Sequence, residues 1–329
     1  MEVALIRSYT DKPWRSPETY QLIEESIREK WAVRSIHTLD PGKLHHFLQD
    51  FKQELDGDIF VFNIAEYLDE KNKVAFLPSL LDEWGMPHLG STGKVAAIGL
   101  NKERTKRLLD LHKIPTPRYF VAEQGREAAL QSHAMNIAYP LFVKPLGEGG
   151  HIGISPQSIV YDEEGLVNAV NHNFEEYHQP ALVEEYIRGE SMREFSVGVI
   201  DGECRIMTPV EIDYQSMNMA VPILDHAAAE NDLERIMPVQ DEQAQDAVIS
   251  LAERTFEAVG ARDYSRVDIR MNASGYYVLE INIMPGLGPN SFLPEAAWSN
   301  HCLPYDQLIQ RLVETALFRR SSAAQSLAA

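Results

Sequence analysis

The stretch "VLEINIMPG" (Val278–Gly286) sets a carboxylate and an amide two positions apart in a β-prone run, then stops the run with Pro285-Gly286. Side chains two apart on a strand share a face. Glu280 and Asn282 are therefore expected to look one way, and Leu279, Ile281 and Ile283 the other. Upstream, "SRVDIRMNASGYY" (265–277) carries the turn signal "NASG" between two β-prone runs, which predicts a hairpin. A turn centred on Ser274 puts Asp268 opposite Glu280 and Arg266 opposite Asn282, all on one face. Two carboxylates facing each other across a ladder repel, and a cation between them removes the conflict. Carboxylate and amide oxygens are hard ligands, suited to Mg²⁺ that completes its shell from phosphates. The competing reading is a solvated polar face, which a one-residue shift of the turn would produce.

The 329 residues are enough for two or three domains, and the 44% apolar fraction is that of a water-soluble globular chain. A net charge of −19 argues against nucleic-acid and anionic-membrane partners, which need basic surfaces. A nucleotide needs only a few lysines. Cys204 and Cys302 make no disulfide framework or thiolate cluster, so a reducing, cytoplasmic setting is expected. "MEVALIRSY" is too short an apolar run for a signal peptide, and no segment is long enough to span a bilayer.

"EVALIR", "VRSIHT" and "DIFVFNI" read as strands, with helices predicted from Ser16-Pro17 and from Pro41. This alternation predicts a parallel α/β domain over residues 1–100. A helix from Asn101 opens a small α+β domain over 101–187, with strands at "RYFVA", "PLFVKP", "SIVYD" and "ALVEEYI" around a helix near 163–178. Residues 188–320 hold a hairpin turning at Asp201-Gly202, an irregular stretch to 238, a helix over 240–259, the "NASG" hairpin and C-terminal helices. The tail "SSAAQSLAA" (321–329) reads as disordered.

"FVKPLGEGGHIGIS" (142–155) ends a strand in Lys144-Pro145 and follows it with four glycines. Glycines let backbone N–H groups approach an anion, and the lysine adds a point charge for phosphate. The loop is neither a Walker A loop nor a dinucleotide fingerprint, and a plain surface turn is an equal reading. "GSTGKV" (90–95) lacks the Ser/Thr and the glycine spacing of a phosphate loop and reads as a turn into a helix. Lys102 and Lys106, one helical turn apart, read first as a solvated basic face shared with the neighbouring arginines. Glu184, Glu185, Glu190 and Glu194 read first as the charges of an edge strand, with adenine or ribose contacts the alternative. Glu18 reads as a complement to a helix dipole. His-Glu-x-x-His, Gly-x-Ser-x-Gly and Cys-x-x-Cys are all missing.

Together, "LNKERTK", "VKPLGEGGHIGIS", "LVEEYI…REFSVGVI" and "SRVDIR…YVLEINIMPGLGPNSFLPEAA" resemble the ATP-grasp superfamily, and within it the D-alanine–D-alanine ligase branch, over roughly residues 58–318. The resemblance implies a three-domain fold that clamps ATP between its central and C-terminal domains. It implies a ligase that phosphorylates a substrate carboxylate from ATP and lets an amine displace the phosphate, releasing ADP. It assigns phosphate binding to Lys102 and Lys144, and closure over the phosphates to Glu148, Gly149, Gly150, His151 and Gly153. The adenine site would be lined by Glu184, Glu185, Tyr186 and Ile187, and the ribose bound by Glu194, with Glu190 the alternative. Asp268, Glu280 and Asn282 would hold Mg²⁺, two ions in the family, with Mn²⁺ a substitute. Arg266 would stabilise the oxyanion, with Lys144 and Ser291 as further catalytic groups, and Gly286 and Ser291 would touch the substrate. Family members are commonly homodimers.

The departures fall on the substrate side. The family's Gly-Ser-Ser is Gly149-Gly150-His151 here, and its His-Gly-acid motif is Asn63-Ile64-Ala65-Glu66. The closing loop, "EIDYQSMNMAVPILDH" (211–226), keeps Tyr214, a candidate substrate contact, but has no lysine. The expectation is an amide-forming ligase for another pair of small carboxylate and amine substrates, with Glu18 and Glu66 as candidates for holding an ammonium. The alternatives are a D-alanine–D-alanine ligase, an enzyme acting on a protein or peptide terminus, and a nucleotide-binding regulatory module without catalysis.

Overall fold

The computed structural model describes residues 1–219, 221–230 and 233–328, with the side chains of 229–230 and 323–328 outside the description. The chain opens with β1 (Glu2–Arg7), α1 (Pro17–Arg28), β2 (Ala32–His37), α2 (Pro41–Glu54) and β3 (Ile59–Phe62). A small hairpin, β4 (Tyr67–Asp69) and β5 (Val74–Phe76), and helices α3 (Leu77–Glu83), α4 (Gly93–Gly99) and α5 (Lys102–Leu111) follow. Next come β6 (Tyr119–Ala122), α6 (Gly125–Met135), β7 (Leu141–Pro145), β8 (Ile159–Val160), α7 (Glu163–Tyr177) and β9 (Ala181–Glu185). The rest is β10 (Arg193–Ile200), β11 (Ile206–Ile212), α8 (His226–Glu230), β12 (Ile236–Pro238), α9 (Glu242–Val259), β13 (Tyr264–Asn272), β14 (Gly275–Asn282), α10 (Phe292–His301) and α11 (Tyr305–Ala328).

Three sheets carry the architecture. The first is parallel, ordered β2-β1-β3, and is covered by α2 on one face and by α1 with α11 on the other. Covering both faces suits a parallel sheet. The second, β6-β9-β7-β8, is antiparallel and rests on α6 and α7. The third, β12-β11-β10-β13-β14, is antiparallel and packs on α9. Local chemistry fixes the helix starts: Ser16, Asp40, Thr92, Asn101 and Asp241 each cap a helix by accepting from a backbone N–H. Among the described residues no helix is long and apolar enough to cross a membrane.

The fold departs from the sequence reading in several places. Helix α6 was not foreseen; its apolar positions are mostly alanines, which give a weak periodic signal. The stretch expected to be irregular to 238 contains α8 and β12. The segment expected to be disordered continues α11 to Ala328. That helix is nucleated by the burial of Leu308, Ile309, Leu312, Val313 and Ala316 against α1, and an alanine-rich sequence then propagates readily. Finally, β9 is an interior strand, so Glu184 and Glu185 do not decorate a sheet edge.

Candidate active site

The β13–β14 hairpin pairs Arg266 with Asn282 and Asp268 with Glu280, as the sequence predicts, but by another route. The ladder beyond Ile269 follows a register one residue shorter, closing at Asn272 and Gly275, and the shift falls at Leu279. A β-bulge there puts consecutive residues on one face. Val278 turns into the core under α9, while Leu279 and Glu280 both face the cleft, where the alternation had sent Leu279 the other way. Ile281 and Ile283 are buried in the core as expected.

Asp268 organises this face. Its Oδ1 accepts from Ser196 Oγ (2.8 Å) and Arg266 Nε (3.0 Å), and its Oδ2 accepts from Arg266 Nη2 (2.8 Å) and Asn282 Nδ2 (2.9 Å). Burial by itself would lower the Arg266 pKa, and Asp268 more than restores it, so the guanidinium stays charged. For Glu280 burial favours the neutral acid, but Lys102, Lys144, His151 and Arg266 overcome it and hold its pKa at about 2.

The opposite wall comes from the second sheet and α5. Lys144 on β7 lies 2.7 Å from Glu184 Oε1 on β9, and Lys106 lies 2.8 Å from Glu184 Oε2. Lys106 is 1% exposed, so it does not belong to a solvated face; the arginines at 104 and 107 point outward instead. Burial would raise the pKa of Glu184, but the two lysines lower it below the ordinary carboxylate range. Glu184 therefore anchors Lys144 from beneath. Lys102 donates to the carbonyl of Glu148 and lines the cleft; burial, only partly opposed by Glu280, lowers its pKa.

The glycine loop arches over this wall. Gly150 (φ 59°) and Gly153 (φ 77°) take left-handed backbone, and a Cβ on Gly153 would lie 2.4 Å from Pro145 Cγ. His151 adopts the same region (φ 58°) as a non-glycine residue. Its Nε2 is 3.3 Å from Glu234 Oε1, a residue the sequence reading passed over. Burial would lower the His151 pKa, and Glu234 raises it. Glu148 lines the cleft, and its carboxylate is bound by Lys73 and Gln179 at 2.7 Å each.

A narrow apolar slot of about 60 Å³ adjoins the main cavity, with Phe142, Tyr186, Ile187, Leu224 and Leu279 around it and Glu185 at its rim. Glu194 is buried there and accepts from Arg270 Nε (2.7 Å) and Tyr214 OH (2.9 Å). Glu190 is exposed on a loop away from the slot. Tyr214 is thereby committed to Glu194 and Arg270 (3.3 Å), and it does not line the main cavity where a substrate contact was expected.

The main cavity, about 210 Å³, is closed by residues of the first sheet's loops and the β14–α10 turn. Asn63 is buried and bonds both N–H and C=O of Ala65, locking the turn that presents Glu66 to the cavity. Arg15 Nη1 holds Glu66 (3.2 Å) and Glu70 (2.8 Å). Burial and the charge of Glu70 push the Glu66 pKa up to about 7 against the pull of Arg15. Glu18 is exposed on the first turn of α1, where its own backbone N–H and Ser16 hold its pKa below the ordinary value, and it does not reach the cavity. Gly286 and Ser291 do line it, together with Trp14, which the sequence reading missed. The one available signal was an aromatic residue in the loop at the carboxyl end of a parallel strand, where α/β sheets build ligand sites.

The donor chemistry fits Mg²⁺ delivered with a polyphosphate. Asp268, Glu280 and Asn282 supply hard oxygens on one face, and among the described residues no group of three or more His, Cys, Asp or Glu gathers into an all-protein cage. The apolar slot, the two lysines and the glycine loop fit a nucleotide running from the slot to the metal face.

Comparison with known proteins gives the chain's relatives. A family model described as "D-ala D-ala ligase C-terminus" matches residues 108–314. D-alanine–D-alanine ligase of Chromohalobacter salexigens is 31% identical over 247 residues, 73% of this chain and 72% of that protein. The ligase of the same name from Syntrophotalea carbinolica is 32% identical over 73% of this chain and 74% of its own length. The fold matches the crystal structure of D-alanine–D-alanine ligase from Bacillus anthracis with a TM-score of 0.72 at 20% identity, over 98% of this chain and 99% of that one. The same enzyme's structure in complex with ATP matches with a TM-score of 0.71 at 21% identity, over the same shares of both chains.

Proposed function

The chain belongs to the D-alanine–D-alanine ligase family, and with that ancestry we propose that it is an ATP-dependent, ADP-forming ligase joining two small amino-acid-like substrates through an amide bond. A carboxylate oxygen of one substrate attacks the γ-phosphorus, the bond to the bridging oxygen breaks and ADP leaves. The amine nitrogen of the second substrate then bonds to the acyl carbon, phosphate leaves, and the nitrogen gives up a proton.

This chain's residues supply positioning and charge neutralisation, which is most of what phosphoryl transfer requires. Lys144, anchored by Glu184, and Lys102 face the phosphates, and the backbone of the Gly149–Gly153 loop covers them. Tyr186 and Ile187 pack on the adenine while Glu194 meets the ribose. Asp268, Glu280 and Asn282 hold Mg²⁺, whose charge offsets that of the phosphates. Arg266 spends Nε and Nη2 on Asp268, which leaves Nη1 for the oxyanion formed when the amine adds. Ser291 caps α10 without a side-chain cap bond, so its hydroxyl is available to the substrate carboxylate. That Arg266, Asp268, Glu280 and Asn282 gather on one face is the observation that carries the reading. A binding-only module needs no guanidinium placed beside the metal carboxylates.

The names of the relatives favour a second reading, D-alanine as both substrates. His151 in place of the second serine, and Glu66 in the Asn63–Glu66 segment, favour a different pair. Phosphate release from Mg-ATP against D- and L-amino acids and small carboxylates, singly and in pairs with product masses recorded, decides between them. D-alanyl-D-alanine from D-alanine alone establishes the second reading. Turnover only with an unlike pair establishes the first, and no phosphate release with any mixture rejects both.

Glu66 supplies a pH test. With a pKa of about 7 it is neutral below that pH and charged above it, so only at higher pH does it pair with a substrate ammonium. The kcat/KM for the amine substrate is expected to rise through about pH 7. Glu66→Gln should flatten that limb and raise the amine KM more than the ATP KM. A variant that raises the ATP KM instead removes Glu66 from the substrate site.

A further inference from the structure

Trp14 is the middle residue of a one-turn 3-10 helix, Pro13–Arg15, between β1 and α1. The turn is fixed from below. Arg15 is 4% exposed; its Nε donates to Ser8 O (3.2 Å), its Nη2 to Ser8 Oγ (2.8 Å) and its Nη1 to Glu66 and Glu70. So anchored, the turn thrusts Trp14 across the cavity. A Cβ built on Gly288 would lie 2.8 Å from Trp14 Cα, and one on Gly286 would lie 3.1 Å from Trp14 Cβ and Cγ. A side chain at 288 would collide with the Trp14 backbone, and one at 286 would crowd the start of the indole. At its far end the indole reaches the phosphate loop: a Cβ on Gly150 would lie 3.8 Å from Trp14 Cζ2. The ring therefore spans the gap between the β14–α10 turn and the glycine loop. It forms one wall of the same cavity that Glu66, Arg266 and Ser291 line.

We propose that Trp14 is the specificity-determining residue of the amino-acid subsite, a fixed aromatic wall that limits the bound amino acid to a small side chain. The proposal rests on the ligase reading above. Glu66 and Ser291 supply partners for the ammonium and carboxylate of an amino acid, so side-chain size is left to the wall that faces them. The same cavity also has to admit the terminal phosphate, so the amino acid shares its space with the indole and the glycine loop. The wall is held in place because Arg15 is bonded through all three of its side-chain nitrogens, Gly288 lies against the tryptophan backbone and Gly286 against its Cβ and Cγ.

The test uses the full chain as wild type, Trp14→Ala and Trp14→Phe. Phosphate release from Mg-ATP is measured with glycine, alanine, serine, valine, leucine and phenylalanine in both configurations, and binding of the same amino acids to the Mg-ADP complex is measured by calorimetry. Wild type should favour the smallest side chains. Trp14→Ala should raise the kcat/KM or affinity of leucine relative to alanine at least tenfold, Trp14→Phe by less, and both should keep the ATP KM within twofold. An unchanged order of preference in Trp14→Ala overturns the proposal. So does a wild-type preference for phenylalanine that the alanine variant loses, since the indole would then be a stacking surface. Absence of phosphate release in every protein counts against the ligase reading alone, because the calorimetric order still decides the role of Trp14.

Discussion

Replacing Arg266 with methionine is expected to lower the turnover of ligation by about 10²–10³-fold, the usual effect of removing one preorganised oxyanion donor, while Mg-ATP still binds. The side chain lies against the ring of Phe292 at 5.0 Å and beneath the cleft, so methionine occupies the same space without the charge. Asp268 loses two donors but keeps Ser196 and Asn282. Arg266→Lys should recover only part of the rate, because an ammonium cannot hold Asp268 with two nitrogens and present a third. Steady-state phosphate release with saturating ATP, set beside calorimetric binding of Mg-ATP, reads both effects. A turnover within threefold of wild type would remove Arg266 from the reaction.

The second large effect lies outside the cleft. Asp263 is 1% exposed and sits in left-handed backbone (φ 66°) at the start of β13. Its carboxylate accepts from Arg319 Nε (2.6 Å) and Nη2 (2.9 Å) on α11 and from the Gly90 N–H (2.7 Å). Arg319 also bonds the carbonyl of His88, so one carboxylate ties the C-terminal helix and the third sheet to the loop before α4. Removing Asp263 leaves Arg319, which is 30% exposed, partly solvated and takes the acceptor from the Gly90 N–H, a loss of about 1–3 kcal/mol. Asp263→Ala is expected to lose about that much stability and to unfold at lower urea concentration. Asp263→Asn should lose less, since asparagine tolerates the same backbone and still accepts from Gly90. Coincident urea curves for wild type and the alanine variant would refute this account.

Much of the arrangement proposed to hold phosphate and metal was legible because it depends on local pattern. The alternation around Glu280 and Asn282 and the glycines after Lys144 are properties of short segments. The substrate side was less legible. Glu18, chosen by its position on α1, points to solvent, and Tyr214, chosen from a loop, belongs to the Glu194–Arg270 cluster. Trp14 and Glu234 reach the cavity through loops whose course no periodicity encodes.

The sequence by itself determined the parallel first sheet, the hairpin that pairs Asp268 with Glu280, and the helix starts, because strand alternation, turn residues and N-caps act over a few neighbouring positions. Only the tertiary structure decided which charges are buried and with whom. Lys106 and Glu184 looked like surface residues, yet they lock together beneath Lys144 because the Lys106 side chain reaches from α5 to an interior strand of the second sheet. The same holds for the bulge at Leu279. The alternation is broken there because Val278 is drawn into the core under α9, and that packing belongs to residues far away in the chain.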